Sequence, residues 1–107
     1  MDIIPNSLAF WRSDTKKNLL NFLAGAKVYY GQSDFEQVKG YIKSIESEAD
    51  RKHTKEKTQD WQNIADAARD GLKAFSMLNG QKINMSTFQA DLQIAFEKIG
   101  KAIAKVR

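Results

Sequence analysis

Between Ile45 and Trp61 the apolar pattern of this chain loses its phase. Upstream, Phe35, Val38, Ile42, Ile45 and Ala49 recur at spacings of three and four; downstream, Trp61, Ile64, Ala65, Ala68 and Leu72 do the same. Such spacing marks amphipathic helix. At ~100° per residue, the distance from Ile45 to Trp61 puts the two stripes ~160° apart, nearly on opposite faces. One straight helix cannot bury both. The chain is therefore predicted to reverse between about residues 50 and 58, inside "ESEADRKHTKEKTQDWQ", whose first fifteen positions hold a single apolar side chain, Ala49. Thr54 or Thr58 is expected to cap the next helix. Glu56 and Asp60 suit a helix start, and Arg51 and Lys52 a helix end, because the helix dipole favours acid at its N-terminus and base at its C-terminus.

The rest of the chain is punctuated for helices. Pro5 is its only proline, and strict two-residue alternation is missing. Helix 1 carries Leu8, Trp11, Thr15, Leu19, Phe22, Ala26 and Tyr29 on one stripe and is expected to stop at Gly31, where glycine accepts a left-handed backbone without steric penalty. "SDFE" reads as a capping box of Ser33 and Glu36, and "STFQ" repeats it with Ser86 and Gln89. The two "GQ" junctions hint at a duplicated hairpin, but two helix starts obeying the same chemistry explain them more simply.

These signals predict an all-α, antiparallel up-down-up-down four-helix bundle in one domain over residues 1–107, with helices about 7–30, 34–52, 57–78 and 86–106. That topology gathers Trp11, Trp61, Ile45, Ile99 and Ile103 at one end. Tyr29, Tyr30, Phe35, Phe75, Leu78 and Phe88 collect at the other.

Composition narrows the function classes. With no cysteine, disulfides, thiol catalysis and thiolate zinc sites are excluded. No apolar run approaches the ~20 residues of a spanning helix. "MDIIPNSLAFW" lacks the basic start and unbroken apolar run of a signal peptide, and a cytoplasmic location is expected, a mature exported form aside. The net charge of +4 concentrates at the C-terminal end, where residues 61–107 carry seven positive and four negative groups.

Catalytic groupings are hard to assemble. His53 is the only histidine, with Asp50 and Glu56 three residues to either side. That spacing spreads them around a helix, and neighbouring lysines repel a cation, so no metal site is expected. A phosphotransfer role fails because "TKEK" follows the histidine. No Ser-His-Asp set forms without burying His53, and no glycine-rich phosphate loop is present. Asp66 and Asp70, one turn apart near Arg69 and Lys73, look like surface electrostatics. No enzyme activity and no cofactor are expected.

Two resemblances bear on this. In length and in "FEQVKGYIKSI" the chain resembles the four-helix haem cytochromes, which ligate iron through a methionine early in helix 1 and a histidine near the C-terminus. The matching regions here read "SLAFW" and "AIAKVR", which lack both ligands. "VKGYIKSIESEADR" and "LQIAFEKIGKAI" are similar to the small lumenal assembly factor of photosystem II. The two likenesses point to unrelated bundles, and neither assigns a family.

Candidate partner-binding residues remain. Lys98, Lys101 and Lys105 recur at helical spacing in "FEKIGKAIAKVR", and Arg12 and Lys16 of helix 1 could extend them into a basic patch. Tyr30 and Tyr41, at the edges of their stripes, could line a groove near the internal glycines 25, 40, 71 and 100, although close helix crossing accounts for those glycines more plainly. "NMS" at residues 84–86 is formally a glycosylation sequon, better explained by helix capping. The expected function is a binding module acting through protein contacts, as an accessory, regulatory or inhibitor-type factor. The alternative is an electrostatic nucleic-acid binder using helices 4 and 1.

Overall fold

The structure is a computed structural model that describes residues 3–106, with side chains described from Thr15 to Val106. It contains four helices: α1 (Ile3–Gly31), α2 (Phe35–Glu56), α3 (Gln59–Asn79) and α4 (Met85–Ala104). No strand occurs among the described residues. Each helix packs on the next, and α4 closes the ring against α1. The contacts run start to end. Lys16 reaches the backbone of Val106, whereas Tyr30 reaches that of Gln89. Gly25 meets Tyr41, and Gly71 meets Ala95. Successive helices are therefore antiparallel, as expected.

The stripes read from the sequence face one another. Leu19, Leu23 and Ala26 of α1 meet Val38, Ile42, Ile45 and Ala49 of α2 in one buried cluster. Trp61, Ile64, Ala68 and Phe75 of α3 join it, with Phe88, Leu92, Ile99 and Ile103 of α4. Each large aliphatic or aromatic side chain so buried contributes roughly 1.5–3 kcal/mol, which makes this seam the main source of stability. Leu8, Trp11 and the expected Trp11–Trp61 neighbour pair lie outside the described side chains.

The reversal falls at residues 57 and 58, inside the expected window, but α2 runs four residues past its expected end at 52. Local bonds prolong it. Thr54 Oγ1 donates to the Asp50 carbonyl at 2.9 Å, and Lys52 pairs with Glu56 at 2.6 Å. Lys57 then takes a left-handed conformation with φ 52° and donates its N–H to His53 O at 2.6 Å. Thr58 opens α3 from an extended backbone without a side-chain capping bond. Residues 54–59 are all exposed. The charged stretch is two solvated helix ends joined by a two-residue link.

Three capping expectations are corrected. Gly31 does not take the left-handed residue; Ser33 does, with φ 58°. The reason lies in the α1 C-terminus, where Asp34 N donates to Tyr29 O at 2.9 Å and Ser33 N to Tyr30 O at 3.0 Å. This Schellman pair engages Ser33 in ending α1. Asp34 becomes the cap of α2 instead, accepting from Gln37 N at 3.4 Å. At the other junction Gln81, not a glycine, is left-handed with φ 59°, and Lys82 N donates to Met77 O at 2.8 Å. Asn84 caps α4 by accepting from Thr87 N at 2.8 Å, so Ser86 lies inside the helix rather than before it.

Candidate docking face on α3 and α4

On α4, Lys98, Lys101 and Lys105 fall within about 60° of one another around the helix axis. On α3, Asp66 and Asp70 share a face at i, i+4. Antiparallel packing sets these rows side by side. The helices approach closely at Gly71, where an added Cβ would lie 3.2 Å from that of Ala95. Beside this crossing runs a shallow recess of about 320 Å³, walled by Asp66 and Asp70 on one side and by Lys98, Lys101 and Lys105 on the other. A second recess, of about 260 Å³, shares Asp70 and Lys98 and continues to Lys73, Met77, Asp91 and Ile94. The three lysines thus stand along an acid row instead of forming an unopposed basic patch.

Few of these charges are matched among the described residues. Lys101 Nζ lies 3.1 Å from Glu97, in a pair open to solvent. Asp66 accepts from Arg69 at 3.2 Å and from Gln62 at 2.8 Å. Among the described residues, Asp70, Lys73, Asp91, Lys98 and Lys105 form no ion pair. Ile94 stands among them, 52% exposed.

The other candidate residues lie elsewhere. Lys16 Nζ donates to the Val106 carbonyl at 2.6 Å, which places it beside the end of α4 near Lys105 but ties it to the backbone. Tyr30 donates its hydroxyl to Gln89 O at 3.1 Å and meets Phe35 and Phe96 edge to face. The Tyr41 ring covers Gly25, where an added Cβ would sit 2.8 Å from it, and stacks on Tyr29 with centroids 5.8 Å apart. Both rings serve helix crossings, and Tyr30 also lines a shallow recess of about 330 Å³ with Lys27, Gln93, Phe96 and Glu97. Arg12 lies outside the described side chains.

His53 is partly exposed, its Nδ1 3.0 Å from Thr58 O, where it braces the reversal. No group of three potential metal ligands occurs among the described residues. Nearby, Lys52 lies over Trp61 at 5.6 Å from the ring centroid, and Trp61 Nε1 donates to Glu56 at 3.3 Å.

One cluster escaped sequence reasoning. Arg69 pairs with Glu46 at 2.8 Å and with Asp50, both on α2, as well as with Asp66 on its own helix. Hydrogen bonding to Asp50 chiefly raises the Arg69 pKa above its ordinary value; desolvation opposes the rise, and the Asp50 and Glu46 charges add to it. The only sequence signal was the i, i+4 acid pair Glu46 and Asp50. Its partner on α3 depends on the register of the two helices.

Comparison with protein-family models, with curated proteins and with solved structures finds no match to this chain. No helix among the described residues is long and apolar enough to cross a membrane.

Proposed function

We propose that this chain is a non-enzymatic binding module that acts through protein contacts, and that the α3–α4 face is its contact surface. The observation that carries this reading is Ile94, half exposed amid charges of both signs that have no ion-pair partner among the described residues. Protein interfaces are built this way, with an apolar anchor inside a polar rim.

The same face argues against a polyanion. Nucleic-acid binding relies on cations that neutralise phosphates, and here Asp66, Asp70 and Asp91 stand in the same recesses as the lysines and would repel them. A ligand-binding bundle would need a closed apolar pocket near the internal glycines. Gly25 is instead covered by Tyr41, Gly71 by Ala95 and Ile42, and Gly100 by Leu23.

A photo-crosslinker placed beside Ile94 at exposed Gln93, compared with one at exposed Ser47, tests the reading in an extract of the native source. Partner capture should depend on the crosslinker beside Ile94 and vanish when Ile94→Asp is added to that chain, whose helical circular dichroism should be unchanged. Retardation of DNA or RNA at low salt, lost on changing Lys98, Lys101 and Lys105 to Glu, would replace this reading with the electrostatic one.

A further inference from the structure

Resting on the reading of the α3–α4 face as a protein contact, we propose that its partner is a second copy of this chain, docked face to face about a two-fold axis parallel to the helices. The order of charges carries the argument. Gly71 lies against Ala95, so in antiparallel helices Asp66 is level with residue 100 and Asp70 with residue 96. Lys101 and Lys98 therefore stand within about 3 Å of those levels, at a rise of ~1.5 Å per residue.

A two-fold axis along the helices keeps every level and exchanges the sides. α4 of each copy comes to lie over α3 of the other. Lys101 then meets Asp66 of the second copy, Lys98 meets Asp70, and Lys73 meets Asp91. Because the contact is isologous, each pairing occurs twice. Ile94 lands level with residue 72 of the facing α3, between Asp70 and Ala74, where its exposed surface would be covered. A two-fold axis in the same plane but across the helices would set α3 on α3 and α4 on α4: centred level with Asp66 and Asp70 it opposes acid to acid and lysine to lysine, and centred near Gly71 it pairs Asp70 with Lys73 and Asp91 with Lys98 but leaves Asp66 and Lys101 facing no opposite charge. The axis along the helices leaves none of these six unmatched, and is preferred for that reason.

Two helices ~30 Å long and ~10 Å wide offer roughly 600 Å² per copy, at the low end for specific interfaces. The dimer is accordingly concentration-dependent, not permanent.

Sedimentation of the full chain over about 10–500 µM tests this, with the mass expected to rise from 12.1 kDa towards twice that value. A chain carrying Lys98→Asp with Lys101→Asp should stay monomeric, as should one carrying Asp66→Lys with Asp70→Lys. Mixed in equal amounts, the two should restore the dimer, because each then offers the charge the other lacks. Circular dichroism confirms that both variants are folded. A wild-type chain that holds at 12.1 kDa throughout overturns the proposal, as does a mixture of folded variants that stays monomeric. If that monomeric chain still captures another protein through Ile94, self-pairing falls while the protein-contact reading stands. Failure of both removes both.

Discussion

The two ends of the bundle are held by different forces. At the end where α1 turns into α2 and α3 into α4, aromatic rings interlock. Phe88 meets Phe35 at 5.3 Å and Phe75 at 4.8 Å between centroids, both edge to face, and Tyr30 links Phe35 to Phe96. At the α2–α3 corner, charged side chains predominate: Lys52 with Glu56, Arg51 with Glu48, and Arg69 with Glu46, Asp50 and Asp66. Ring burial does not depend on salt, whereas exposed ion pairs are screened by it and contribute little individually. The first end anchors the fold. The second mainly lets the chain reverse in water.

The largest effect expected is at the aromatic end. Phe88 is fully buried, and Phe88→Ala should cost about 3–5 kcal/mol in denaturant unfolding, unchanged by 1 M salt. Next comes Gly25→Ala, whose methyl would press on a Tyr41 ring held between Phe22 and Tyr29. Overpacking of about 1–3 kcal/mol should outweigh the gain of up to ~1 kcal/mol in helix propensity. Gly40→Ala meets nothing within 4 Å and should stabilise the chain, so opposite signs at these two glycines would confirm that only one marks a close crossing.

At the corner, Arg69→Ala should cost about 1 kcal/mol at low salt and much less at 1 M, because the network is open to solvent. Equal salt sensitivity in Arg69→Ala and Phe88→Ala would erase the contrast between the ends. The smallest change expected is a gain. Lys57→Gly relieves a left-handed lysine and should add about 0.5 kcal/mol to thermal stability.

Most of the helical architecture was legible because its signals are local. The phase slip between Ile45 and Trp61 needed only helical periodicity, and it located the reversal that the structure closes at Lys57 and Thr58. Caps were less legible. "SDFE" and "STFQ" carry the right residue types, but which one caps depends on how the preceding segment ends. Ser33 is engaged in the Schellman turn that closes α1, so Asp34 takes over. The lysine row of α4 was equally visible; its acid counterpart on α3 was not, since Asp66 and Asp70 lie about thirty or more positions away.

By itself, then, the sequence determined where helices form and which face of each is apolar, because periodicity and backbone preference act over a few residues. Only the tertiary structure decided which charges stand together. The close approach of Gly71 to Ala95 sets the register of α3 on α4, and through it the acid row beside Lys98 and Lys101. The packing of α3 on α2 likewise brings Arg69 to Glu46 and Asp50. Coulomb contacts between helices follow from register, and register is a property of side-chain packing across the whole bundle rather than of any one segment.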